Sequence, residues 1–208
     1  MMRIKSAGMS DITELGGAGG AMEFVKICRE TAAVLEEFFR TKGGVVEAVV
    51  SAIIKSLRSG GKILLFGNGG SAAEAQHFAA ELINKFLKER GALPAISLTT
   101  DTSTITSIGN DMSFDRIFSR QIEALGRKGD VAIALSTSGN SPNIIEGLKA
   151  AKKIGMVTIA LTGEGGGKLA VTPGAAPDYL LDVPSTSTPR IQEVHLVVLH
   201  IIAEEIEK

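Results

Sequence analysis

One short segment sets the fold class of this chain: Lys62-Ile63-Leu64-Leu65-Phe66-Gly67-Asn68-Gly69-Gly70-Ser71. The run Lys62–Phe66 is continuously apolar after its first residue, which is typical of a strand buried on both faces of a parallel sheet. The glycines that follow allow a tight turn, and a helical pattern then covers Ser71–Arg90, with Ser71 as its expected N-cap. A strand, a glycine-rich turn and a helix in this order predict the first unit of an α/β protein.

The same alternation continues to the end of the chain. Further apolar runs of strand length are Ala95–Leu98, Val131–Leu135, Val157–Leu161 and Tyr179–Val183. Further helical patterns are Phe114–Leu125, Ser141–Ile154 and Pro189–Lys208. Short apolar strands separated by helices predict a three-layer α/β/α sandwich around a parallel sheet of about five strands.

The N-terminal part has a different pattern. Residues 1–20 end in Gly16-Gly17-Ala18-Gly19-Gly20 and are predicted to form a flexible extension. Apolar residues then recur at helical spacing from Ala21 to Ser59, and Gly43-Gly44 predicts a break that divides this region into two helices. We expect residues 21–208 to form a single domain.

Composition excludes several classes of protein. The 208 residues carry 22 Lys and Arg against 23 Asp and Glu, so the chain has no basic surplus for direct nucleic-acid binding. A single cysteine, Cys28, rules out an intrachain disulfide framework and a cysteine-based zinc cage, and it fits a cytoplasmic setting. No apolar run approaches the roughly 20 residues of a membrane span.

Two loops that follow predicted strands point to an anion. The first contains Asn68, Gly69, Gly70 and Ser71 at the start of a helix, where free N–H groups and the helix dipole favour negative charge. It lacks the lysine of a P-loop and the spacing of GxGxxG, so it does not support nucleotide binding. A plain glycine turn between strand and helix is the alternative interpretation.

The second loop is rich in hydroxyl groups. It reads Ser136-Thr137-Ser138-Gly139-Asn140-Ser141-Pro142, with Ser141 as the expected N-cap and proline in the first turn. Hydroxyl donors with no neighbouring cation suit a phosphate monoester, although an ordinary serine- and threonine-rich turn has the same composition. Because ligands of such sheets bind at the carboxyl ends of the strands, the two loops together favour a phosphate site.

The few titratable residues form a second pattern. His77 and Glu81 stand four apart, so they share one face of a helix and suit either metal ligation or acid–base chemistry. A structural pair is the alternative. On the last helix, Gln192 and His200 lie eight residues apart, about 80° around the axis. His195 points elsewhere and is interpreted as structural.

Taken together, these motifs resemble the phosphoheptose isomerases of the sugar isomerase (SIS) family, in order from about Ala21 to the C-terminus. Gly109-Asn110-Asp111 and Arg190-Ile191-Gln192-Glu193-x-His195 complete the match. The resemblance implies a flavodoxin-like core and a homotetramer with active sites at subunit interfaces. It also implies a cytoplasmic enzyme that interconverts sedoheptulose 7-phosphate and D-glycero-D-manno-heptose 7-phosphate, the first step of ADP-heptose biosynthesis.

The resemblance also assigns roles to residues. One Zn²⁺ per subunit is expected on His77, Glu81, Gln192 and His200. Substrate contacts are expected from Asn68, Gly69, Gly70, Ser71, Glu81, Asn110, Asp111, Ser136, Thr137, Ser138, Ser141 and Gln192. Two departures from the family pattern, Lys85 where many members carry arginine and Pro189 where aspartate is common, bear on substrate fine-tuning.

Glu81 and His200 are the family's acid–base pair. Moving a carbonyl between C2 and C1 takes one proton from carbon and returns another, through a cis-enediol whose oxygens a metal polarises. We assign carbon-proton abstraction to His200 and proton transfer at the sugar oxygens to Glu81.

Two further interpretations belong to other functional classes. The segment from Ala79 to Phe86 also resembles the replication initiator-associating branch of the SIS proteins, which acts as a binding scaffold. In that branch the positions of Glu81 and His200 carry residues that do not titrate, so their presence here favours an enzyme. A sugar-phosphate sensor would need the phosphate loops without the acid–base pair.

Overall fold

The computed structural model of the chain describes residues 21–208; the predicted N-terminal extension, residues 1–20, lies outside them. The strands are β1 Ile63–Gly67, β2 Ala95–Ser97, β3 Val131–Ser136, β4 Val157–Thr162 and β5 Tyr179–Asp182. The helices are α1 Ala21–Arg58, α2 Gly70–Ile83, α3 Thr102–Asp111, α4 Ile117–Leu125, α5 Pro142–Ile154, α6 Gly167–Val171 and α7 Thr188–Ile206. Short 3₁₀ turns at Phe114–Arg116 and Glu164–Gly166 precede α4 and α6.

The five strands form one parallel sheet in the order β2-β1-β3-β4-β5. Leu65 of β1 pairs with Ser97 on one side and with Ile133 on the other. This is the flavodoxin-like strand order, in which the direction of winding reverses between β1 and β3. The predicted parallel α/β sheet is therefore confirmed.

Both faces of the sheet are covered by helices, as its continuous apolar strands require. On β1, Ile63 and Leu65 belong to a core shared with α1, α2 and α7, whereas Leu64 and Phe66 belong to a core shared with α3, α4, α5 and α6. All four side chains are fully buried. The three-layer sandwich is thus built by the alternation of side chains along each strand.

The predicted break in the N-terminal helix is wrong. α1 runs without interruption through Gly43 and Gly44, neither of which has a positive φ. Phe38, on one side of the glycine pair, and Val46, on the other, are buried in the same core. Because both halves pack on one surface, burial outweighs the local cost of about 1 kcal/mol for each helical glycine.

The boundaries of the next two helices also differ from the patterns. α2 ends at Ile83 rather than at Arg90, and Ser71 lies in its first turn while Gly69 holds the N-cap position with no side-chain cap. α3 was not indicated by apolar periodicity, because it buries Ile108 alone. Its start is stabilised by Asp101, whose carboxylate accepts the Thr104 backbone N–H at 3.0 Å.

Within residues 21–208, none of the helices combines the length and the apolar character that crossing a membrane requires.

Candidate active site

A polar cavity of about 210 Å³ lies at the carboxyl ends of β1 and β3, where the winding of the sheet reverses. This is the position at which ligands bind in open α/β sheets. Its lining residues are Asn68, Ser71, Leu135, Ser136, Thr137, Ser138, Ser141, Thr188 and Gln192. The structure therefore brings both predicted phosphate loops to a single cavity.

Three helices begin at this cavity. Ser71 lies in the first turn of α2, Ser141 is the N-cap residue of α5, and Thr188 is the first residue of α7. A helix N-terminus carries about half a positive charge and free backbone N–H groups. None of the lining residues is charged. An anion in the cavity would therefore be bound by helix dipoles and neutral hydroxyl donors, as the sequence predicted for a phosphate monoester. The third helix, α7, was not part of that prediction.

Asn143 bonds to Asn68 of the cavity lining, and the sequence did not predict this role. The Asn143 side-chain amide donates to Asn68 Oδ1 at 2.9 Å, and the Asn68 side-chain amide donates to Asn143 Oδ1 at 3.0 Å. Asn143 is buried, so this reciprocal pair joins the β1 loop to the first turn of α5. No local pattern in the sequence indicates this pair, because the two asparagines lie 75 residues apart.

Gln192 reaches the cavity because Gly70 leaves it room. A Cβ atom at Gly70 would overlap the amide nitrogen of Gln192. The Gln192 amide therefore lies directly on the backbone of the β1 loop, at the same end of α2 as Ser71. Gln192 belongs to the cavity in this chain and is placed by a glycine that was predicted only as an anion-binding position.

A second group of predicted residues meets further along the same two helices. The Nε2 atom of His77 lies 2.8 Å from that of His200 and 3.5 Å from Glu81 Oε1. His77 and Glu81 come from α2, as predicted, and His200 comes from α7. The ring of Phe86 stacks on His200, with the centroids 5.3 Å apart and the planes at 24°. This acid–base cluster (His77, Glu81 and His200) is open to solvent on one side, since 41% of the His77 side chain is exposed.

The donors of this cluster decide whether it suits a metal ion. Two Nε2 atoms at 2.8 Å need one proton between them, so that one nitrogen donates and the other accepts. Two imidazoles and one carboxylate are a donor set that Zn²⁺ accepts, so the residues fit the metal by type. Among residues 21–208, however, no group of three or more His, Cys, Asp and Glu side chains is already arranged around a metal position. The rings would have to separate, since two nitrogens on one tetrahedral zinc lie about 3.4 Å apart.

The fourth expected metal ligand lies apart from the other three. Gln192 precedes His200 by eight residues, or about 12 Å along α7 at 1.5 Å per residue. Its amide contacts Gly70 instead of His77.

Asn110 and Asp111 are not among the residues that line the cavity of their own chain. They end α3, both are exposed, and the Asn110 amide donates to Asp111 Oδ1 at 2.7 Å. Their amide and carboxylate groups face outward, where another molecule can reach them.

His195 lies in the interior between the two sites. It is fully buried, and its Nε2 atom donates to the Thr162 carbonyl oxygen at 3.1 Å, because a carbonyl can only accept. Its Nδ1 atom is 3.9 Å from Glu74 Oε2, too far for a hydrogen bond. This ring contacts neither the cavity lining nor the acid–base cluster in any hydrogen bond or ion pair found within residues 21–208.

The cavity and the acid–base cluster lie at two ends of one helix pair. From Ser71 to His77 the rise along α2 is about 9 Å, at 1.5 Å per residue. From Gln192 to His200 the rise along α7 is about 12 Å. An elongated substrate with an anion at one end and a reactive group at the other is the shape that this arrangement accommodates.

Comparison with known sequences gives a consistent group of relatives. The SIS domain profile matches residues 27–163. The phosphoheptose isomerase of Desulfovibrio desulfuricans is 52% identical over 176 residues, which cover 85% of this chain and 82% of that protein. The phosphoheptose isomerase of Aquifex aeolicus is 51% identical over 183 residues, which cover 88% of this chain and 94% of that protein.

Solved structures give the same group. The phosphoheptose isomerase of Neisseria gonorrhoeae superimposes with a TM-score of 0.81 at 43% identity, covering 89% of this chain and 97% of that one. The phosphoheptose isomerase of Francisella tularensis superimposes with a TM-score of 0.83 at 36% identity, with the same coverage. The similarity thus extends over most of the length of both partners.

Proposed function

This chain belongs to the phosphoheptose isomerases of the SIS family and is an isomerase, and we propose that it interconverts sedoheptulose 7-phosphate and D-glycero-D-manno-heptose 7-phosphate, as the first step of ADP-heptose biosynthesis. The observation that carries the proposal is the pairing of two sites on α2 and α7. A neutral cavity faced by three helix N-termini suits the phosphate on C7. The acid–base cluster about 9 Å further along α2 suits the C1–C2 end of the open sugar chain.

The residues of the cluster suit the proton transfers that the reaction needs. Isomerisation removes a proton from the carbon next to the carbonyl and returns one to the neighbouring carbon, through a cis-enediol. His200 takes the carbon proton in this proposal, since a histidine is both a competent base and a competent acid near neutral pH. Glu81 transfers the proton between the two sugar oxygens. Phe86 covers one face of the His200 ring and limits the positions from which it can act.

We propose that one Zn²⁺ per subunit is held by His77, Glu81, Gln192 and His200. His77 already lies next to both Glu81 and His200, while Gln192 would have to leave Gly70 to join them. When bound, the ion supplies Lewis-acid polarisation of the carbonyl and hydroxyl oxygens at C1 and C2.

We further propose a cytoplasmic homotetramer in which Asn110 and Asp111 complete the active site of a neighbouring subunit. Two features support it. Asn110 and Asp111 are exposed and lie away from their own chain's cavity. The first turns of α1 also expose several large apolar side chains, which a subunit interface would bury: Met22, Phe24, Val25 and Ile27.

The decisive assay follows heptose 7-phosphate formation from sedoheptulose 7-phosphate by purified protein with zinc. We expect turnover that Glu81→Gln or His200→Ala reduces by at least about 100-fold, the scale of lost general acid–base catalysis. A wild-type protein that binds the sugar phosphate without converting it would support the sensor, and one that does neither would support the scaffold.

The phosphate assignment has its own test. Ser138→Ala removes one hydroxyl from the cavity wall, so we expect weaker binding of the phosphorylated sugar by about 10- to 150-fold, as for one hydrogen bond to a charged group. Unphosphorylated sedoheptulose should bind poorly to both proteins. Equal affinity for the two sugars would refute the phosphate site.

A further inference from the structure

The last turn of the chain carries a buried carboxylate with an unusual set of partners. Glu207 directly follows α7, and 1% of its side chain is exposed. Its carboxylate accepts the backbone N–H groups of Phe86, Leu87 and Lys88, each at 2.8 Å, and the Arg90 Nε–H at 3.0 Å. Burial raises the pKa of Glu207, but the three N–H donors and the Arg90 charge lower it by more, so that the pKa falls from 4.5 to about 2. The group is therefore a fixed anion that holds the segment 86–90.

Arg90 connects the same carboxylate to the end of α2. Its guanidinium donates to the carbonyl oxygens of Leu82 at 2.8 Å and of Glu81 at 2.7 Å. These carbonyls belong to the last turn of α2, which has no helical partner for them. The Glu207–Arg90 pair thus replaces a helix cap at the turn that carries Glu81.

The segment held by Glu207 returns an aromatic ring to the acid–base cluster. Phe86, whose N–H bonds to Glu207, stacks on His200 at 5.3 Å between centroids. Glu207 follows His200 by seven residues, so the two residues share one face of the same helix, about two turns apart. Contacts therefore connect the Glu207 carboxylate to Phe86 and Phe86 to the His200 imidazole.

We propose that Glu207 is a positioning residue for the isomerase reaction: through Phe86 and Arg90 it sets the orientation of the His200 ring against His77 and Glu81. This inference rests on the proposed function for its catalytic consequence only. Without the Glu207 anion, the N–H groups of residues 86–88 lose their common acceptor, and the ring that covers His200 is free to leave. His200 then samples positions that do not face the reacting carbon.

Glu207→Gln is the test, and Glu205→Gln is its matched control. The glutamine keeps the size of the side chain but removes the charge and one acceptor. Glu205 undergoes the same change two residues earlier, where its carboxylate pairs with Lys208 at the surface. Phe86→Leu removes the stacked ring and leaves Glu207 unchanged, whereas Phe86→Tyr keeps an aromatic ring at this position.

The first measurement is deuterium exchange at the Cε1 atom of each histidine, followed by mass spectrometry at one pH and with equal metal content. We expect exchange at His200 to speed up about threefold in Glu207→Gln and in Phe86→Leu, because a ring released by local opening meets solvent more often. Glu205→Gln and Phe86→Tyr should behave as wild type. His195 is fully buried and reports whether each variant is folded.

The second measurement determines kcat and KM separately. We expect kcat to fall about tenfold in Glu207→Gln with KM within about twofold, since a misplaced reacting group costs rate while the distant phosphate cavity keeps binding. Unchanged His200 exchange in both Glu207→Gln and Phe86→Leu would overturn the proposal, as would a rise in KM at constant kcat. If Glu207→Gln is the only variant that accelerates exchange at His195, this variant has lost its fold. The His200 exchange of Phe86→Leu then decides the proposal. If wild type turns nothing over, the proposed function fails, while His200 exchange still decides the positioning.

Discussion

Replacing Gly44 with alanine should stabilise the protein, because α1 continues through this position. In an exposed helix interior, alanine is more favourable than glycine by about 0.8–1.0 kcal/mol. Gly44 is exposed, and a Cβ atom there meets no other atom within 4 Å, so packing subtracts nothing from this gain. For a chain of this size the gain corresponds to a rise in Tm of about 2–4 °C.

Gly60→Ala is the matched control with the opposite sign. Gly60 follows the end of α1 at Arg58 and also has open space within 4 Å, but its φ is +79°. A side chain in this left-handed region costs about 1–2 kcal/mol, so we expect Tm to fall by about 2–8 °C. The two variants make the same chemical change and differ only in backbone conformation.

Both variants are measured by thermal and urea unfolding at one protein concentration, because apparent stability depends on protein concentration wherever chains associate. Light scattering checks that the oligomeric state is unchanged. If Gly44→Ala lowers the unfolding free energy, or leaves it unchanged while Gly60→Ala lowers it, the helix is interrupted at Gly44 and the two-helix pattern of the sequence stands.

Two further predictions concern the buried carboxylate and the cavity. The pKa of Glu207 is lowered from 4.5 to about 2, so its contribution to stability is complete above pH 4.5 and is lost as the pH falls towards about 2. Urea unfolding at several pH values should show a shallower acid loss in Glu207→Gln than in wild type, and equal slopes would contradict the prediction. Gly70→Ala should push the Gln192 amide from the cavity and raise KM for the sugar phosphate about 5- to 20-fold with little change in Tm, since the displaced group is the flexible end of a side chain. A double variant with Gln192→Ala should add nothing further, and additive effects would place the two residues in separate roles.

Most of the sheet could be predicted from local pattern alone. All five strands lie where apolar runs of four or five residues were found, within one or two residues at their ends. The reason is physical: a strand of a parallel sheet is buried on both faces, so nearly every side chain must be apolar. The two loops that line the cavity could also be predicted, because each lies between a strand and a helix and has its glycines or hydroxyl groups within ten residues of sequence.

Contacts between distant parts of the chain decided the rest. The α2 helix stops at Ile83 where Glu207, some 120 residues later, accepts the N–H groups of the following segment. Asn143 pairs with Asn68 across 75 residues, and no local pattern reveals that partnership. α1 continues as one helix through Gly43 and Gly44 because both of its halves pack on the same core.

The sequence by itself determined the class of the fold, the two loops that line the cavity and the resemblance to a family of sugar-phosphate isomerases. Only the tertiary structure decided that His77 meets His200 across 123 residues, that Gln192 lines the polar cavity, and that the N–H of Phe86, whose ring stacks on His200, bonds to Glu207 at the end of the chain. Local propensities amount to about 1 kcal/mol per residue. Buried contacts of the folded chain are as large or larger, so they choose among the local alternatives.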